Sequence, residues 1–274
     1  IPYGYAPASL GSLSDCTGHG THVSGTAAGT TYGVAKNATI IPVRVFDCSG
    51  TAPWSVVITA LEWIASDHLA GEPAVVNMSL GGEASMFVDW AVQEVIDDGV
   101  TVVVASGNEE DWSCDYSPAR VPDAITVNAS NSDDTDSWFS NFGACSDIYA
   151  PGESITSAWY TSANATSTID GTSMASPHVA GAAAKILQIN PSFTPNQVWN
   201  ELSNSATPLI FPVGYGDPDI LLFSGPHTVT TIAPTTSYVG GSVVITGTGF
   251  STTPSTNTVV FTGTSTPGVV TDVT

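Results

Sequence analysis

Ala74-Val75-Val76-Asn77-Met78-Ser79-Leu80 opens the stretch that decides the fold, and Thr101-Val102-Val103-Val104-Ala105-Ser106 closes it. Between these two β-branched runs, Val88, Ala91, Val92, Val95 and Ile96 recur at spacings of one, three and four residues, which places them on one face of a helix. Asp98-Gly99 ends that helix, because glycine enters the left-handed conformation without steric cost. Strand, helix, strand in this order is a βαβ unit, and such units build parallel sheets covered by helices.

The same alternation extends outward. Upstream, Ile40 to Phe46 reads as a buried strand, and residues 55–69 place Val57, Leu61, Ile64 and Ala65 on one helical face. Downstream, Ile125 to Ala129 reads as a further strand and 173–189 as an alanine-rich apolar helix. Thr194-Pro195 then starts an amphipathic helix with a capping residue followed by proline. The expected fold class is α/β with a parallel sheet. The main domain is expected over residues 1–225, with a second, β-rich module or Thr/Ser-rich linker over 226–274, where Asp272 is the only charge.

Composition narrows the function. The 274 residues carry 25 acidic side chains against four basic ones, for a net charge near −21, which repels phosphate backbones and excludes nucleic acid as a partner. No apolar run reaches the ~20 residues that span a bilayer. Four cysteines, Cys16, Cys48, Cys114 and Cys145, show no CxxC spacing. Two long-loop disulfides are the simplest reading, and their persistence implies an oxidising, exported location.

Three segments bear on chemistry. Gly171-Thr172-Ser173-Met174-Ala175 lies where a glycine turn meets a helix start, so the Ser173 hydroxyl is exposed at a helix N-terminus. Gly18-His19-Gly20-Thr21-His22 opens another apolar helical stretch, and its small neighbours leave the His19 imidazole uncovered. Asn108 follows Ser106-Gly107 at a carboxyl strand end, where open α/β sheets place ligands. Nucleophilic hydrolysis of a peptide needs a hydroxyl, a base, a carboxylate that orients the base, and oxyanion donors. Three of these four are present.

Taken together, these segments resemble the subtilisin-like serine proteases, most closely the proteinase K and aqualysin branch, over residues 13–223. Further matching motifs are Tyr32 to Lys36, Asn77 to Gly82, Tyr116 to Ala119, Phe139 to Gly143 and the continuation from Ser173 to Gly181. The resemblance implies a three-layer α/β fold, with Ser173 as nucleophile, His19 as general base and acid, and Asn108 as oxyanion donor. It implies that Ser79, Leu80 and Gly81 pair with substrate backbone, and that Ala105, Ser106 and Gly107 line the first specificity pocket. It further implies disulfides Cys16–Cys48 and Cys114–Cys145. A structural calcium ion is implied at the backbone oxygens of Pro122 and Ala124 and the carboxylate of Asp147. His22 and His178 match positions that pack inside, and the sequons at Asn37, Asn77, Asn128 and Asn164 are expected to be chance. Gly240 to Phe250 looks like the start of an IPT/TIG immunoglobulin-like repeat.

One element is missing from the pattern. In the family, an aspartate within Asp-Thr-Gly or Asp-Ser-Gly precedes the histidine by about thirty residues, whereas only eighteen residues precede His19. Asp15 adjoins Cys16 in a segment the family has in addition to that aspartate. The expectation is that the orienting carboxylate and the first strands lie upstream of Ile1, leaving the sheet of residues 1–274 incomplete and the fragment inactive by itself. The expected function is a secreted, monomeric, broad-specificity serine endopeptidase acting on protein or peptide substrates through an acyl-enzyme on Ser173, made with its own prosegment. The alternative is a pseudoprotease or binding module whose β tail engages a polymer or surface.

Overall fold

Five consecutive buried residues, Thr101 to Ala105, set the architecture, because a strand apolar on both sides must be covered on both faces. A computed structural model describes residues 3–209, 216–223, 225, 228–233 and 244–248. In chain order its elements are α1 (His19–Ala28), α2 (Trp54–Asp67), β1 (Val75–Met78), β2 (Gly82–Glu83), α3 (Met86–Asp97), β3 (Thr101–Ala105), a 3-10 turn (Ser113–Asp115), β4 (Tyr116–Ser117), β5 (Ile125–Ser130), β6 (Ile148–Pro151), β7 (Ile155–Ala158), β8 (Thr166–Ile169), α4 (Thr172–Ile189), α5 (Pro195–Ser205), β9 (Thr207–Pro208), β10 (Ile220–Leu221), β11 (Thr228–Ala233) and β12 (Val244–Thr248). The main sheet runs β1-β3-β5-β6-β10-β9, parallel except where β9 meets β10.

Side chains alternate across the sheet. Val102 and Val104 join Val57 and Leu61 of α2 and the Val88, Val92, Val95 stripe of α3 in one core. Val103 points the other way, into a core with Val127 of β5, Ala175, Val179 and Ala183 of α4, and Val198 and Leu202 of α5. The result is three layers, with α4 the central helix of its face. Each fully buried valine contributes about 1.5–3 kcal/mol. The helix ends follow their sequence signals: Thr194 and Gln197 form a reciprocal capping box on α5, and Gly99 leaves α3 at φ 101°.

The Ile40 to Phe46 strand does not form. Only Val43 makes an isolated bridge, to Tyr5, and Ile40 and Ile41 are exposed. A strand needs a neighbour for its backbone groups, and among the described residues the segment finds only Tyr5, through Tyr5 N–H to Pro42 O and Arg44 N–H to Tyr5 O. Both disulfides join the cysteines as the resemblance implies. In the tail, β11 and β12 pair as an antiparallel hairpin, while His227, Gly240 to Ser242 and everything beyond Thr248 lie outside the described residues.

Candidate active site

Ser173 sits in the first turn of α4, and its position is fixed by a defect in that helix. Pro177 has no N–H, so the carbonyl of Ser173, four residues earlier, loses its helical partner. Ser79 supplies the replacement: its Oγ donates to Ser173 O at 2.7 Å, while Asn77 Nδ2 donates to Ser79 Oγ at 2.9 Å. Ser176 Oγ in turn donates to Asn77 Oδ1 at 2.7 Å. Strand β1 and the residue after it are therefore pinned to the turn that carries Ser173. The Ser173 hydroxyl points back across the same junction, donating to Ser79 O at 3.4 Å.

Asn108 is aimed by Thr172. Its Oδ1 accepts from Thr172 N–H at 2.8 Å and from Thr172 Oγ1 at 3.0 Å. With its oxygen held toward α4, the carboxamide presents Nδ2 on the other side, and no described residue accepts from it. The Ser173 N–H, in the first helical turn, has no carbonyl within the helix to bond. Two donors next to one hydroxyl are what an oxyanion developing at that hydroxyl's target requires.

His19 is the first residue of α1, and α1 packs on α4 closely enough that a Cβ on Gly181 would meet Ala27 O at 2.7 Å. The start of α1 is fixed by Asp15. Its Oδ1 accepts from the amides of Thr17 and Gly18, each at 2.9 Å, and its Oδ2 accepts from Thr21 N–H at 2.8 Å and Thr21 Oγ1 at 2.6 Å. Partial burial pushes the Asp15 carboxyl up, but these bonds outweigh it and hold the pKa down at about 2. Gly18, at φ 91°, leaves no room for a side chain, because a Cβ would lie 2.4 Å from Trp159.

The imidazole itself is less constrained. It meets the ring of Phe46 edge-on at 5.9 Å between centroids, and among the described residues no carboxylate accepts a hydrogen bond from it. Burial lowers its pKa, the Asp15 charge raises it and His22 lowers it, with a net shift downward. His22 is fully buried, with Nε2 against Ile155 O and Ser167 O, and His178 Nδ1 faces Met174 O; both are structural.

Around this centre, Ser79 is nearly buried and spends its side chain on α4 rather than on a ligand. Leu80 and Gly81 border an apolar cavity of about 330 Å³ lined also by Phe46, Trp54, Val57 and Gly82, which sequence reading did not single out. Ala105 and Ser106 are buried, and Gly107, at φ 114°, leads into Asn108. Of the sequons, Asn128 is buried, Asn77 is tied to Ser79 and Ser176, and Asn37 and Asn164 are exposed.

Pro122, Ala124 and Asp147 line one cavity of about 340 Å³. Asp147 accepts from Thr126 N–H at 2.7 Å, yet burial dominates and raises its pKa to about 6. A largely buried carboxylate short of positive charge, in a cavity that Pro122 and Ala124 also line, suits a hard divalent cation, so these residues fit the implied calcium.

Comparison with known proteins gives the family. The chain matches the subtilase family over residues 6–236. It is 56% identical over 215 residues to an extracellular serine proteinase of Thermus sp. (strain Rt41A), covering 78% of this chain and 52% of that protein. It is 51% identical over 185 residues to alkaline serine exoprotease A of Vibrio alginolyticus, covering 68% of this chain and 34% of the relative. A crystal structure of a cold adapted subtilisin-like serine proteinase superposes with a TM-score of 0.74 at 47% identity, over 78% of this chain and 77% of that one. The chain thus spans about half or less of the length of these curated relatives. With its parallel sheet, its serine at the start of α4 and Asn108 bound to Thr172 beyond the end of β3, this chain belongs to the subtilase family of serine proteases.

Proposed function

We propose that residues 1–274 are most of the catalytic domain of a secreted serine endopeptidase that cleaves peptide bonds through an acyl-enzyme on Ser173. The observation that carries this reading is the clamp of Thr172 on Asn108, which leaves an amide donor beside a nucleophile that is itself braced by Ser79. His19 removes the hydroxyl proton as Ser173 Oγ attacks the carbonyl carbon, and the carbonyl oxygen takes its negative charge between Asn108 Nδ2 and the Ser173 N–H. The imidazolium then gives that proton to the leaving amine, and water repeats the sequence to release the acid. Leu80 and Gly81 pair with substrate backbone as an added strand, and the cavity between Trp54 and Leu80 takes an apolar substrate side chain. Broad specificity follows from the small residues of the first pocket. Among the described residues no carboxylate accepts from the His19 imidazole, and Asp15 is consumed in holding the α1 backbone, so on this reading the orienting carboxylate of the active protein is a further residue. Calcium, when bound, supplies charge balance to Asp147 and ties the Pro122 loop to β6.

The test is Ser173→Ala in the active full-length protein, together with a serine-directed phosphonylating inhibitor. Hydrolysis of denatured protein should vanish with either. Activity retained by Ser173→Ala would overturn the reading.

A further inference from the structure

We propose that Asn141 is a positioning residue for the oxyanion step, holding the loop from Ser106 to Asp111 in the shape that aims Asn108. The inference rests on the reading of Asn108 as oxyanion donor. Asn141 is fully buried, and its side chain is saturated by this loop alone. Its Oδ1 accepts from Glu109 N–H at 2.9 Å and Asp111 N–H at 3.1 Å, and its Nδ2 donates to Ser106 O at 3.0 Å and Glu109 Oε2 at 2.9 Å. Its own N–H donates to Gly107 O at 3.0 Å.

Two features connect these bonds to Asn108. Glu109 Oε2, fixed by Asn141, accepts the Asn108 N–H at 2.8 Å, so one carboxylate relays the carboxamide of Asn141 to the backbone of the donor residue. Gly107 is moulded on the same group: a Cβ there would lie 2.1 Å from Asn141 Nδ2. Asn108 is thus held at its backbone from the Asn141 side and at its side-chain oxygen by Thr172, which leaves Nδ2 the free end. Loosening the first hold displaces the oxyanion donor, while the bond from Ser79 Oγ to Ser173 O still braces the nucleophile's turn.

The experiment measures kcat and KM in the full-length active protein for Asn141→Ala, Asn108→Ala and the double variant. Misplacement of a catalytic group by about 1 Å costs up to roughly 100-fold, so Asn141→Ala should lower kcat by about 10- to 100-fold with KM little changed, and should add nothing in the Asn108→Ala background. An equal loss in that background, a change confined to KM, or unchanged kcat would overturn the proposal. Full kcat in Asn108→Ala would instead overturn the oxyanion reading. As a second variant of the same size, Asn141→Asp keeps the Oδ1 acceptor but sets a carboxylate oxygen against Glu109 and Ser106 O. Adding Glu109→Gln removes that charge repulsion and should recover part of kcat, since one amide atom cannot both donate across this contact and accept from Asn108 N–H as the carboxylate oxygen did. Failure of that rescue in a protein with wild-type melting temperature would also count against the proposal.

Discussion

The two halves of the site are held by different means. On the serine side, hydrogen bonds reach the reactive groups themselves: Ser79 and Asn77 brace the nucleophile's turn, and Thr172 orients the Asn108 carboxamide. On the histidine side, Asp15 and Trp159 fix where α1 begins through Thr17, Gly18 and Thr21, but among the described residues the His19 imidazole receives no hydrogen bond from a carboxylate and meets the edge of Phe46. Fixing a helix start places a side chain's root without choosing its tautomer or rotation. On the proposed reading, preorganisation for oxyanion binding is built into the described residues, whereas preorganisation of the base is not found among them.

The largest expected effect on stability belongs to neither half, which makes it a control on the comparison. The raised pKa of Asp147 means that, in chelator, stability is greatest below the unfolded carboxylate pKa and falls as pH rises through about 6. At neutral pH the deficit is about 3 kcal/mol. Calcium should restore the melting temperature, and Asp147→Asn should be more stable than the wild type in chelator at pH 7 yet indifferent to calcium. Melting curves decide this. A calcium response surviving in Asp147→Asn would remove the site.

Next in size, Ser79→Ala strikes the serine half. It leaves Ser173 O without a donor, costing about 1–3 kcal/mol, and should lower kcat several-fold because the nucleophile's turn loses its brace. A variant with full kcat would show that Pro177 alone sets that turn.

Smallest is Asp15→Ala on the histidine side. The folded pKa of about 2 lies below the unfolded value, so the contribution of Asp15 is present above pH 4 and is lost as pH falls toward 2. Since Asp15 is part-exposed, solvent screening reduces that contribution to about 1 kcal/mol. The melting temperature should drop by a few degrees at neutral pH and by less near pH 2. If hydrolysis were abolished with the fold intact, Asp15 would be the orienting carboxylate and the contrast between the halves would disappear.

Much of this was readable in the sequence where the signal is local. The stripe from Val88 to Ile96 and the run from Thr101 to Ala105 carry their periods within a few residues, and Ser173, Asn108 and His19 each sit at an element end that glycine marks. What could not be read depends on partners distant in the chain. Ile40 to Phe46 has strand composition, yet pairing requires a neighbouring strand, and among the described residues it meets only the single bridge to Tyr5. The bonds from Ser79 to Ser173 and from Asn141 to Glu109 link positions 94 and 32 residues apart, and nothing in either segment announces the other. The missing N–H of Pro177 was the one local clue, since a carbonyl four residues earlier had to find another donor.

The most direct test of the central claim compares peptide hydrolysis by purified residues 1–274 with that of the longer protein carrying an Asp-Thr-Gly or Asp-Ser-Gly motif upstream, both checked for cooperative unfolding. The account predicts a rate about 10,000-fold lower for 1–274, the loss that follows when an imidazole is deprived of its orienting carboxylate in serine proteases. Equal rates would contradict it, and would mean that a carboxylate within these residues already serves His19.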